Sequence, residues 1–324
     1  MVKNIKILSN INNDNNDNND NNNDNDRTNY IIAEIYIDSN NINKDVLIIN
    51  SYEESKRRAN AFILEENLKN EKDIKNCVIK INNKNINFSY VYNFNKVGGY
   101  TICYEFKNKL TICNYMFADC FLLASIDLSK LDTEEITNMR YMFSDCTSLI
   151  NLNMSYLDIK NVIYMEGIFY GCTSLKKINL NKTETQKVKN LSWAFYNCSS
   201  LTEIKFTDFH TNNVEDMNSM FAGCSSLVKV NVENFNTKNV QNMTLMFGNC
   251  ISIRNLDLTN FQGKNINNMN AMFFNCSSLT NLNMKKFKSN DFTYFGGLFS
   301  GCLALKKENV ICNDKNIMEQ IYLI

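Results

Sequence analysis

Twelve cysteines and one histidine, His210, are the side chains in this sequence best suited to chemistry. Eight of the cysteines, Cys120, Cys146, Cys172, Cys198, Cys224, Cys250, Cys276 and Cys302, follow one another at seven consecutive intervals of 26 residues, with no insertion or deletion. A thiol can attack a substrate, ligate a metal, pair as a disulfide or fill apolar space, and each role makes its own demand. A nucleophile needs a base beside it at one place, not the same residue in every repeat. Zinc needs four clustered ligands, and no CxxC pair occurs. A disulfide needs two Cβ atoms facing each other at about 3.5–4.5 Å, whereas side chains stacked in one column project in parallel. What remains is a small buried hydrophobe, and the column is expected to be structural. Cys77, Cys103, Cys113 and Cys312 have no ligand-like spacing either. His210 follows Phe209 without a matching acid or nucleophile, and is expected at the surface. No phosphate-binding glycine loop, paired-carboxylate signature or nucleophile motif is present. The expectation is a protein without catalytic residue, metal or cofactor.

The elements that must hold such a column follow from its period. A fixed repeat of 20 to 50 residues marks a solenoid, in which each repeat is one supersecondary unit stacked on the next. Around Cys198, Leu201, Ile204 and Phe206 form an LxxLxL block whose alternation fits a strand with one buried face. Val214, Met217, Met220, Phe221 and Cys224 then follow at spacings of 3, 3, 1 and 3, which predicts a short helix or helical turn. The residue before each cysteine is Asp, Gly or Asn (Asp119, Asp145, Gly171, Asn197, Gly223, Asn249, Asn275, Gly301), the types that best tolerate a left-handed backbone. The fold class is thus an α/β repeat solenoid, a leucine-rich-repeat-like array of strand plus short helix units. A single repeat buries too little to offset its ordering entropy, so the repeats must stack.

Outside the array the composition changes. Residues 12–26 hold only Asn and Asp, and the stretch 1–28 reads as a disordered tail. Residues 29–110 read as a small β-rich α+β region or cap, with strand-like runs at 30–37, 46–49, 77–81, 86–94 and 99–106 and a helical stretch over 49–70. The solenoid spans 111–310 in about eight repeats, and 311–324 form a C-terminal cap. With 34 basic and 34 acidic residues the formal charge is zero, which argues against nucleic acid as a partner. No apolar run reaches the roughly 18 residues of a membrane span, and Met1–Asn10 lacks a signal-peptide core, so the expected location is intracellular.

The unit NMxxMFxxCxSLxxLxLxxFxTxxV, as in NMRYMFSDCTSLINLNM (138–154) and DMNSMFAGCSSLVKVNVENFNTKNVQNMTLMF (216–247), resembles the BspA-like leucine-rich repeats over roughly residues 111–310. The resemblance implies a leucine-rich-repeat solenoid acting at a cell surface in adhesion or protein binding, with no catalytic residue to carry over.

Two surfaces are candidates for a partner, a protein or a glycan. The outward strand positions, expected on the concave face, include Asn153, Asn179, Lys205, Asn231, Asp257 and Asn283; they form either an asparagine ladder along the stack or a polar binding surface. On the other side, Trp193 and Tyr196 lie three residues apart, with Tyr170 one repeat before Tyr196. They form either an aromatic patch of the kind enriched at interfaces or a local repacking around Trp193. Three functions compete on this evidence: a binding or adhesion protein, an intracellular scaffold, and an enzyme working within residues 29–110.

Overall fold

The computed structural model describes residues 29–59 and 65–321. The Asn/Asp tract lies outside the described residues, as does the centre of the expected 49–70 helix. The N-terminal region is built from β1 (Tyr30–Ile37), β2 (Asp45–Leu47), α1 (Tyr52–Arg58), α2 (Glu71–Lys75), β3 (Val78–Ile81), β4 (Lys84–Ile86), β5 (Val91–Asn93) and β6 (Gly98–Glu105). Helix α1 starts where Ser51 caps it, its side chain accepting from the Glu54 N–H. The expected strands are present, the 86–94 run being divided between β4 and β5. Asn82 and Asn83 link β3 to β4 with φ of 48° and 64°, the two positive values that a type I′ hairpin requires.

The solenoid follows without a break in the core. Its first strand, β7 (Leu123–Asp127), pairs antiparallel with β1, so the N-terminal sheet runs β4-β3-β6-β1-β7. Strands β8 (Asn151–Asn153), β9 (Lys177–Asn179), β10 (Glu203–Lys205), β11 (Lys229–Asn231), β12 (Asn255–Asp257) and β13 (Asn281–Met284) recur one per coil. They pair in parallel as β8-β9, β10-β11 and β12-β13-β14, with β14 spanning Val310–Cys312. The register is one repeat length, Asn151 facing Lys177 and Asn255 facing Asn281. A second parallel ladder runs unbroken through Ile112, Asn138, Tyr164, Asn190, Asp216, Asn242, Asn268 and Tyr294. Helix α3 (Lys315–Gln320) ends the described chain, capped by Asp314, and lays the buried Ile317 on the core.

The solenoid is the one the period dictates, but its second half is not a helix. Residues 217–224 form three overlapping turns: Met220 N–H to Met217 O (3.2 Å), Ala222 to Ser219 (3.1 Å) and Cys224 to Phe221 (3.1 Å). The intervening amides leave the coil, with Met217, Ser219, Phe221 and Gly223 donating to Asn242, Thr244, Met246 and Gly248 at 2.8–3.0 Å. All four bonds recur at each of the seven coil junctions. A helix would spend these N–H groups within its own turn; a row of turns spends them on the next coil, and so supplies the cohesion that a stack requires.

Two left-handed columns make the row possible. The first is the one expected before the cysteines, with φ of 55–80° from Asp119 to Gly301. The second, four residues earlier, was not foreseen: Tyr115, Tyr141, Gly167, Trp193, Ser219, Leu245, Ala271 and Gly297 all have φ of 53–64°. Inside the coils the Phe column stacks from Phe117 to Phe299 with ring centroids 5.3–6.0 Å apart.

Candidate interaction surfaces

The cysteine column is buried and holds free thiols. Its Sγ atoms do more than fill space. Cys146, Cys172, Cys198, Cys224, Cys250, Cys276 and Cys302 each donate S–H to the carbonyl of the Phe one coil back, from Phe117 to Phe273, at 3.0–3.2 Å. The same carbonyls accept the turn-closing N–H of Cys120 through Cys276. Burial raises the thiols from Cys120 to Cys250 and holds them protonated, pushing Cys224 up to about 12. Neutral thiols of this kind are inert as nucleophiles and metal ligands. A third stitch runs through buried threonines: the hydroxyls of Thr185, Thr211 and Thr237 donate to the carbonyls of His210, Asn236 and Gln262 (2.8–3.0 Å) and accept the N–H of the same residues (2.7–2.8 Å). His210 is exposed, its Nδ1 lying 2.8 Å from the Asp208 carbonyl, and among the described residues no carboxylate or thiol bonds to its ring.

The outward strand column is occupied locally. Asn153, Asn179, Asn231, Asp257 and Asn283 each accept, at Oδ1, the N–H two residues on (2.9–3.2 Å). These are Asx turns that bend the chain out of each strand, not a ladder along the stack. Lys205 has no acceptor to offer and sits 3.8 Å from Glu203. Ladder contacts occur instead two residues earlier, where Asn281 donates to Asn255 (2.8 Å) and Lys229 approaches Glu203 (3.7 Å). Asn153, Asn179 and Lys205 line a shared open depression of about 730 Å³ whose floor includes Ile178.

The aromatic candidates are only partly united. Tyr170 and Tyr196 stack at 4.8 Å with 9° between their planes. Trp193 is 37 % exposed and makes no ring contact with either. Its N–H and C=O belong to the turn row, donating to Asn218 and accepting from Tyr196. The tyrosine pair is one end of a longer run that sequence reasoning missed. Tyr52 of α1 meets Tyr115 at 5.7 Å, Tyr115 stacks on Tyr141 at 5.1 Å, and Tyr141 reaches Tyr170 at 6.4 Å. Gly167 permits the last step, because a Cβ there would sit 2.1 Å from the Tyr141 ring. The signal in the sequence was that glycine standing between Tyr141 and Trp193 in a column that begins with two tyrosines.

Charge accompanies the run. The Lys56 ammonium lies 5.4 and 5.5 Å from the Tyr52 and Tyr115 ring centres. Arg140 pairs with Glu166 and lies 3.8 Å over the Tyr164 ring, with both charged side chains 15 % exposed. Burial raises Glu166 above the usual carboxylate range despite Arg140, and burial pushes the Tyr141 hydroxyl up to about 12. The Tyr141 hydroxyl therefore stays protonated, able both to donate and to accept at neutral pH.

Ladder and turn row together define a repeat solenoid. The chain belongs to the family described as "Mycoplasma protein of unknown function, DUF285", whose model matches residues 111–205 and 189–311. No curated protein and no solved structure matches it. Among the described residues, no helix is long and apolar enough to cross a membrane.

Proposed function

We infer that this chain is a non-enzymatic BspA-like repeat protein that holds a partner protein against the tyrosine-lined turn face of its first coils, in adhesion or in assembly. The observation carrying this reading is the run Tyr115–Tyr141–Tyr170–Tyr196 of half-buried rings along successive coils, which the buried Tyr52 ties to the N-terminal region. Tyrosine offers a large rigid apolar area at low entropic cost together with a hydroxyl, the combination that interface anchors use. The backbone beneath is fixed by ladder bonds at each step, so little ordering entropy is lost on binding.

The triple variant Tyr170→Ser, Trp193→Asn, Tyr196→Ser tests the reading, with asparagine chosen for its tolerance of the left-handed backbone at 193. Loss of partner capture with unchanged melting supports it, and unchanged capture discards the face. A second reading, a glycan or protein on the strand side, is favoured by the depression around Asn153, Asn179 and Lys205. Lys205→Glu would then impair capture where the triple variant does not. Digestion by protease on intact source cells, against protection until lysis, separates surface adhesion from an intracellular scaffold.

A further inference from the structure

The turn rows are polar along the solenoid axis. At every junction the earlier coil supplies the N–H groups and the later coil the C=O groups. The array therefore ends in two unlike edges, one of acceptors at the first coil and one of donors at the last.

The acceptor edge is covered by the N-terminal region. Asn70 Nδ2 donates to Asn114 O (2.7 Å), Asn50 N to Met116 O (2.7 Å) and Asn50 Nδ2 to Ala118 O (2.9 Å). Both asparagines are buried, at 0 % and 2 % exposure. Among the described residues the donor edge has no such cover. Phe295, Gly297, Phe299 and Gly301 occupy the positions whose amides bond forward in every earlier coil, and among the described residues those amides have no acceptor. The described C-terminal segment covers a different part of the last coil, where Asp314 accepts from Ser289 and Ile317 enters the core. Around the open row stand Phe292, Tyr294 and Leu303, exposed by 82 %, 67 % and 82 %.

We propose that this donor edge is a docking site for a segment of a partner polypeptide, which adds to the solenoid by its main-chain carbonyls. The occupant follows from the sign of the edge. Four donors at every second residue call for a row of backbone acceptors, and the segment supplies them by winding into the same row of turns that the next coil forms at every earlier junction. A second copy of this chain fits poorly, since its free end is again all donors and its acceptor edge is held by Asn50 and Asn70. Phe292, Tyr294 and Leu303 supply the apolar grip for the segment's side chains.

The test uses the full chain and a phage-displayed library of random linear peptides, with amide hydrogen exchange as readout. In the free protein the amides of 295, 297, 299 and 301 are expected to exchange fast, while those of 269, 271, 273 and 275, one coil back, are protected. Selected peptides should protect the end row and lose affinity about tenfold or more in the variant Tyr294→Lys, Leu303→Lys, whose melting should match wild type because both side chains are exposed. The proposal is overturned if the end row is already protected, or if its protection rises with protein concentration alone, which would make a second copy the occupant. It is also overturned if no selected peptide protects that row, or if binding survives the double variant. Because Tyr170, Trp193 and Tyr196 lie four or more coils before the donor edge, variants there leave this result unaffected.

Discussion

One substitution, alanine to glycine, should change the stability of this protein in opposite directions at two places in the turn row. Ala271 sits at φ 55°, donating to Gly296 O (2.8 Å) and accepting from Phe274 N (2.9 Å). Ala222 is an ordinary turn residue of a neighbouring kind of position, 3 % exposed, donating to Ser219 O (3.1 Å) and accepting from Asn197 N (2.7 Å). At 271 the methyl group costs about 1–2 kcal/mol against the following carbonyl, the penalty of any L residue in the left-handed region. Glycine removes that cost and gives back about 0.4–1 kcal/mol through a looser unfolded chain, for a net gain of about 0.5–1 kcal/mol. At 222 there is no strain to relieve. Glycine there brings the same entropic loss plus about 0.8 kcal/mol for the buried methyl, a net loss of about 1–2 kcal/mol. The two variants should therefore differ by about 2 kcal/mol, or about 3 °C in Tm for a chain of this length. Thermal and urea unfolding of Ala271→Gly and Ala222→Gly, each against wild type, reads this directly. Equal destabilisation by both would refute the left-handed column, and with it the row of turns.

The cysteine column should resist alkylation in the native protein, with Cys103 and Cys312, both half-buried, reacting first and the other sites only on unfolding; mass spectrometry after timed iodoacetamide treatment checks this. The same thiols set an alkaline limit. Folded-state values are raised by burial for Cys120, Cys146, Cys172, Cys198, Cys224 and Cys250, so their stabilisation is complete below the unfolded value near 9 and is lost as pH rises through the folded values, about 12 for Cys224. Six such groups give a slope of about 8 kcal/mol per pH unit once the unfolded thiols ionise, so melts between pH 8 and 11 should show a steep collapse. Thr237→Val keeps the shape but strands the N–H and C=O of Gln262, and should cost about 2–4 kcal/mol in chemical denaturation. An unchanged midpoint would remove the threonine stitch from the account.

What could be read from the sequence was whatever one residue type, repeated, dictates. The period of the cysteines required a solenoid, and Asp, Asn and Gly before them required a left-handed backbone. The short runs from Tyr30 to Glu105 required strands. The turn row escaped because successive turns and a helix space their buried residues alike: Met217, Met220, Phe221 and Cys224 satisfy both. Only the destination of the alternate amides separates them, and composition does not record it. The second left-handed column was masked by its occupants, since Tyr115, Trp193 and Leu245 are held there by ladder bonds rather than by preference. The asparagines after each strand were legible as a polar column, but an Asx turn and a ladder use the same side chain. The tyrosine run crosses from the column of Tyr141 to that of Tyr170, a step that depends on the missing Cβ of Gly167. Docking of the N-terminal region on the first coil rests on Asn50 and Asn70, two asparagines among many.

The most direct test of the central claim, that coils are joined by a row of turns, is the through-hydrogen-bond scalar coupling between amide nitrogen and carbonyl carbon in a deuterated, isotope-labelled sample. The account predicts a coupling from the Phe221 nitrogen to the Met246 carbonyl, one coil ahead, with its equivalents at Phe195 to Met220 and Phe247 to Met272. A coupling from Phe221 to Met217, four residues back, would place a helix there and contradict it.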